Sequence, residues 1–152
     1  MISQSAEYAL RAMVVLLSRE ELTFCSAQDI ATQARVPVDY MAKILNSLVR
    51  AGLVIAQRGR HGGCKAAKPG SEISVYDIVQ AVDPIRRIHM CPVGIPSHGT
   101  NLCPLHRKLD DAARVVEEAF RSATMADLLG EATVSKPLCD HVQINHVQGA
   151  IQ

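Results

Sequence analysis

The chain has 152 residues, 48% of them hydrophobic, 20% charged and only 3% aromatic, with no tryptophan and a formal net charge of +1. That suits one aliphatic-cored domain, or a small domain with an extension, and the shortage of rings argues against a single-strand nucleic-acid binder, which needs stacking platforms. No apolar run is long enough to span a bilayer and MISQSAEY lacks the basic region of a signal peptide, so the expected location is the cytoplasm, away from membranes, where five cysteines point to metal binding, redox sensing or burial rather than structural disulfides.

Residues 3–19 read as a helix with Ser3 as N-cap and Ala6, Leu10, Met13, Val14 and Leu17 as its apolar stripe. Glu7 sits early in it, where a carboxylate favours the helix dipole. Between Phe24 and Arg35 lies a second helix, capped by Ser26 with Asp29 at N3 and faced by Ala27, Ile30, Ala31 and Ala34. Val36-Pro37 breaks it. Residues 38–52 form a third helix with Met41, Ile44, Leu45 and Leu48 buried and Gly52 as its stop. Two short helices joined by a tight Val-Pro turn make a helix-turn-helix, and the exposed early residues of the second, Asp39, Tyr40 and Lys43, are placed for groove contact.

A strand over 53–57, a turn over 59–63 and a return strand over 64–67 make a glycine-tipped hairpin. From Pro37 to Pro69 six cations (Lys43, Arg50, Arg58, Arg60, Lys65 and Lys68) face one acid, Asp39. A basic patch in a near-neutral protein is the footprint of a double-stranded DNA reader, and such a hairpin is a wing whose Arg58 and Arg60 reach phosphate or the minor groove. The alternative is a merely solvated hairpin. Ser26, Asp39, Tyr40, Lys43, Arg58, Arg60, His61 and Lys65 form the expected DNA-facing set.

Residues 73–82 read as a helix with Ser74 near its start and Val75, Ile78, Val79 and Val82 buried, ended by Asp83-Pro84. The stretch from His89 to His106 follows, with no Lys, Arg, Asp or Glu, two Cys-Pro dipeptides at Cys91 and Cys103, and three of the six histidines, His89, His98 and His106. Pro92, Gly94, Pro96 and Gly99 forbid regular structure, so it is a loop too long to be a plain connector. Soft donors without charged neighbours suit a bound metal or cluster, which brings its own charge. Eleven residues separate the two cysteines, and His106 lies one helical turn beyond Cys103. Pro104 suits N1 of the next helix, which puts Cys103 at its N-cap, where the dipole favours a thiolate.

That helix runs from Pro104 to Ala123, and Leu105, Leu109, Ala112, Val116, Ala119 or Phe120, and Ala123 form a seam for a second copy in a homodimer, or for the same chain. Thr124 caps a last short helix. The remainder, with Cys139, His141 and His146, reads as a mobile tail. The expected division is a winged helix-turn-helix over 1–83, a metal or cluster loop over 84–106, a dimerisation helix and cap helix over 104–130 and the tail over 131–152: mainly α with a small β wing.

LVRAGLV (48–54), RGRHGG (58–63), AEYALRAM (6–13), ISVYDIVQAVD (73–83) and CPLH (103–106) resemble the winged-helix repressor family of the iron–sulfur cluster regulator IscR and the nitric-oxide sensor NsrR. The resemblance spans roughly Met1 to Gly130. The family's wing usually carries three consecutive glycines; His61 replaces the first here. The resemblance implies a dimeric regulator whose operator affinity is switched by an iron–sulfur cluster. Three loop cysteines are the family pattern. Cys91, Cys103 and His106 match it, the middle cysteine falls at about Ser97 and is missing, and His98 is its neighbour. That argues for [2Fe–2S] over [4Fe–4S] and resembles the family's redox-sensing branch, in which an N-terminal glutamate from the other subunit is a ligand; Glu7 matches it. The histidine that branch uses near the N-terminus is Arg11 here, so His106 or His98 must substitute. Open beside this are zinc held by Cys91, Cys103, His98 and His106, a metal-free dithiol, haem bound through a thiolate, a cluster-free regulator controlled by a partner protein, and a thiol enzyme with Cys103 as nucleophile and His106 as base.

Overall fold

The computed structural model describes residues 2–19, 23–98, 101–131 and 137–138. Cys139, His141 and His146 lie outside the described residues, as do Gly99 and Thr100 of the loop. α1 spans Gln4–Leu17, and the Ser3 side chain accepts from the Ala6 N–H, as its N-cap assignment requires. The expected stripe is only part of its buried surface. Ala9, Ala12, Val15 and Leu16 are buried too, whereas Leu10 and Leu17 are half-buried. The reason is position: α1 touches α2 (Ala27–Ala34), α3 (Val38–Arg50), α4 (Val75–Val82), the second strand of the wing and α6 (Met125–Gly130). A helix surrounded on several sides buries more than one face, and the fully buried Ala6, Ala9 and Ala12 let neighbouring backbones come close.

α2 ends one residue earlier than the Val36-Pro37 breaker suggests. Arg35 takes the left-handed conformation (φ 54°), and Val36 N–H reaches the Ala31 carbonyl at 2.9 Å. A non-glycine residue there costs about 1–2 kcal/mol, which the packing of Ile30, Ala31, Ala34 and Val36 into the core offsets. α3 buries Met41, Ile44, Leu45 and Leu48, the four residues expected, and Gly52 (φ 72°) turns the chain after it. β1 (Val54–Gln57) and β2 (Gly63–Ala66) pair antiparallel, Val54 opposite Ala66 and Gln57 opposite Gly63. Each strand is set about one residue from the expected limits.

α4 starts at Val75, not Ile73. Ser74 is its N-cap, and a reciprocal capping box with Asp77 fixes the start. Ile73 is extended and fully buried; its carbonyl accepts from Met125 N–H at 2.8 Å, while Val75 N–H reaches the Ala123 carbonyl at 2.9 Å. Val82 is half-buried rather than buried. α5 runs Pro104–Ser122 and buries none of its residues. Phe120 and Ala123 pack on a small cluster of Ala6, Val75 and Val79, but Leu105 and Leu109 are 64% and 51% exposed. The first half of the expected seam is therefore not packed on its own chain. α6 is capped by Thr124 with Asp127 in a second capping box. No helix among the described residues is long and apolar enough to cross a membrane.

Candidate DNA interface and sensor loop

Burying one stripe of α3 leaves Asp39, Tyr40, Lys43, Asn46 and Arg50 exposed. Tyr40 is nevertheless engaged. Its hydroxyl lies 3.0 Å from that of Ser5, and its ring meets Tyr8 edge-to-face, 5.5 Å between centroids. It leans on α1, whereas Asp39 and Lys43 stand clear. Ser26 is exposed but occupied as a cap, accepting from Asp29 N–H at 3.1 Å and donating to the Asp29 carboxylate at 2.7 Å.

The wing presents Arg58, Arg60 and His61 to solvent at its tip. Gly62 cannot be replaced there: a Cβ would sit 2.2 Å from the Gln57 carbonyl oxygen. His61 is not among the residues with positive φ, so a side chain is tolerated at the position where the family's first wing glycine falls. Lys65 is half-buried and its ammonium lies 4.8 Å from the centre of the Phe24 ring. That cation–π contact ties the wing to the segment ahead of α2. One cation of the expected DNA set thus has a structural partner, which no periodicity could have disclosed.

The loop begins from a fixed point. Arg87 donates from Nε and Nη2 to the two oxygens of Asp110, both at 2.7 Å, and reaches Glu117 at 3.5 Å. Ile88 N–H also donates to Asp110 at 2.8 Å. Glu117 in turn accepts from Arg121, whose guanidinium stacks 3.5 Å above the Tyr76 ring of α4. The Arg87 guanidinium and the Ile88 N–H hold the Asp110 carboxyl far below the usual carboxylate range. No local sequence signal marks this network, because its members are 23 and 30 residues apart and share no period.

Beyond the clamp, Cys91 Sγ lies 3.7 Å from His98 Nδ1. Backbone N–H groups of Ile95, Val93 and Gly94 point to the Cys91 sulfur and push its thiol down, Ile95 contributing most. Gly94 is left-handed (φ 71°), and its N–H closes the turn on the Cys91 carbonyl at 3.1 Å. Cys103 is the N-cap of α5 with Pro104 at N1, as expected, and its sulfur lies 3.4 Å from His106 Nδ1. Each cysteine therefore has its own histidine. Among the described residues no three His, Cys, Asp or Glu side chains converge, so the four-ligand zinc site is not assembled from one chain. Glu7 is half-exposed and ion-paired with Arg11 one turn on. The donor chemistry, thiolate plus imidazole, fits an iron–sulfur group with mixed ligands; the geometry offers it as two pairs.

Comparison with known proteins adds an independent line. Residues 2–131 match the profile of the Rrf2 family, described as iron-dependent transcriptional regulators. A helix-turn-helix-type transcriptional regulator of Mycobacterium tuberculosis, Rv1287, is 36% identical over 135 residues, covering 86% of this chain and 82% of that protein. Among solved structures, IscR of T. potens superposes with a TM-score of 0.68 at 23% identity, covering 88% of each chain. CymR of B. subtilis, a global cysteine regulator, gives 0.67 at 24%, covering 84% of this chain and 95% of that one.

Proposed function

The chain belongs to the Rrf2 family of DNA-binding transcriptional regulators, and from that premise we propose that it is a homodimer whose affinity for operator DNA is set by a [2Fe–2S] cluster at the Cys91–His106 loop. Cys91 and Cys103 would hold the group, with Glu7 of a second copy and either His106 or His98 completing its four ligands. The observation that carries the reading is the pair of Cys–His contacts that brackets one charge-free loop. When bound, such a group supplies one-electron redox chemistry and lability to oxidants or nitric oxide.

The chain's own residues do the rest. The backbone cradle favours the Cys91 thiolate that a metal requires. Arg87 and Asp110 anchor the loop to α5, whose exposed Leu105 and Leu109 offer a seam to a second copy. Asp39, Lys43, Arg58, Arg60 and His61 would face DNA. Glu7 neighbours Tyr8, and Tyr8 and Ser5 contact Tyr40 of α3, so a shift of α1 is passed to the recognition helix. A coupling of about 1–3 kcal/mol is enough for a roughly 5–150-fold change in affinity.

The test is an ultraviolet–visible spectrum with iron and sulfide assays on protein purified without oxygen, followed by operator binding by the Cys91→Ala/Cys103→Ala variant. Visible bands, matched iron and sulfide, and a signal response lost in the variant are expected. A colourless protein with an unchanged response overturns the cluster and leaves the DNA reader standing. A second reading is a cluster-free regulator governed by thiol oxidation, zinc or a partner protein, and the lack of any three converging ligands among the described residues favours its thiol-oxidation and partner-protein forms. It would show as iron-free protein whose DNA binding still responds to oxidants, zinc or a partner.

A further inference from the structure

Cys25 and Cys64 lie outside the loop, and the reading above uses neither. They form an isolated antiparallel bridge between the segment ahead of α2 and strand β2. The two residues exchange both backbone bonds: Cys25 N–H to the Cys64 carbonyl at 2.9 Å, and Cys64 N–H to the Cys25 carbonyl at 2.8 Å. In such a pair the Cα atoms are about 5.5 Å apart, within the disulfide range of about 4.4–6.8 Å. Residues directly opposite one another put their side chains on one face. Here both enter the same core, Cys25 3% and Cys64 9% exposed. The close approach is built in: Gly63 has φ 141°, and a Cβ on it would meet the Cys25 carbonyl oxygen at 2.4 Å. The two are not linked in this structure.

We propose that Cys25 and Cys64 are a disulfide-forming pair, a thiol-modification site separate from the sensor loop, which staples the wing to the approach of the helix-turn-helix. The cross-link requires the Cβ atoms to close from about 4.5–5.5 Å to about 3.5–4.5 Å, an ångström of strand movement. The oxidant is of the peroxide class. The sulfur of Cys64, the more accessible of the two, attacks a peroxide oxygen; the S–O bond forms, the O–O bond breaks, and hydroxide leaves as water with the thiol proton. The Cys25 sulfur then loses its proton and attacks the sulfenic sulfur; the S–S bond forms and a second water leaves. Two thiols lose two electrons and hydrogen peroxide becomes two waters.

Burial raises both thiols and keeps them protonated at neutral pH, so this pair reacts after the cradled Cys91 thiol and faster as pH rises. In a reducing compartment such a link is transient. It fixes the wing's base while Arg58 and Arg60 remain at the solvent-exposed tip.

The experiment uses the full chain with Cys91→Ser, Cys103→Ser and Cys139→Ser, which removes the sensor thiols and any rival partner in the tail. The protein is treated with hydrogen peroxide, unfolded, alkylated and mapped without reductant. The expected product is one intramolecular Cys25–Cys64 linked peptide, two hydrogens lighter. Its unfolding midpoint should rise by ~5 °C or more and fall back on reduction. The same map on the unsubstituted chain reads the link even if the triple variant folds poorly. Thiols that both stay alkylatable, that reach sulfinic acid unlinked, or that link two chains overturn the proposal. None of these outcomes bears on whether the loop holds iron.

Discussion

Asp110 accepts from two nitrogens of Arg87, 23 residues earlier, at 2.7 Å each, and takes the Ile88 N–H on the same carboxylate. Bidentate guanidinium–carboxylate pairs add geometric specificity to charge, and this one sets where the cysteine loop leaves α4 and where it rejoins α5. Asp110→Asn should keep the fold but release the segment after Pro84. Amide exchange over residues 84–98 is then expected to quicken at least tenfold while α1–α3 stays protected. Equal protection in the variant would show that the clamp does not hold the loop.

The same pair fixes a pH window. The Arg87 guanidinium first, then the Ile88 N–H, depresses the Asp110 carboxyl. A depressed carboxylate contributes stability that is fully present above its unfolded pKa of about 3.9 and is lost as pH falls towards the folded value. Loop protection, taken relative to the intrinsic exchange rate at each pH, should therefore be flat from neutral pH down to about 4, and fall only below it. A step near pH 6–7 would point to histidine instead.

Tyr40 separates two roles that the sequence could not. Its hydroxyl sits 3.0 Å from Ser5 and its ring against Tyr8, so it supports α3 on α1. Tyr40→Phe removes one exposed hydroxyl contact and should cost about 0.5–1.5 kcal/mol of stability at most. Tyr40→Ala also loses the ring pair, worth about 0.5–1.5 kcal/mol beyond its area. Operator affinity should follow stability across the two variants. A large affinity loss in Tyr40→Phe with unchanged unfolding would make the hydroxyl a direct DNA contact.

Much of the fold was legible because its signals are local. The Met41, Ile44, Leu45 and Leu48 stripe of α3, the Ser3, Ser26 and Thr124 caps and the glycine-tipped wing each follow from spacing within a few residues. What was missed is non-local. The Arg87 clamp, Lys65 on Phe24, and Ile73 backing onto Met125 all join residues far apart in the chain. α1 was underestimated because a buried helix has no single stripe. Within the cysteine loop, spacing found His106 for Cys103, one turn away, but could not pair Cys91 with His98.

The wing cations divide in the same way. Arg58 and Arg60 are exposed, so each Ala variant should weaken DNA binding across sequences and reduce the salt slope by about 1. Lys65→Ala removes the contact with Phe24 and should change wing stability by about 0.5–1 kcal/mol while leaving the salt slope nearly intact. Binding isotherms at several salt concentrations decide this. A full unit of slope lost in Lys65→Ala would place its charge on a phosphate.

Leu105 and Leu109 remain, two exposed leucines on one face of a helix none of whose residues is fully buried. Apolar side chains exposed at i and i+4, continued by Ala112 and Ala119, are costly to leave in water and natural to cover with a second α5. Each leucine buried in a dimer contributes about 1.5–3 kcal/mol, so Leu109→Glu, which also places a charge at the seam, should yield a monomer in sedimentation. Since a helix-turn-helix reader gains affinity by engaging two half-sites at once, that variant should also lose operator binding by 10²-fold or more. A Leu109→Glu protein that sediments like the parent would show that α5 is not the dimer seam.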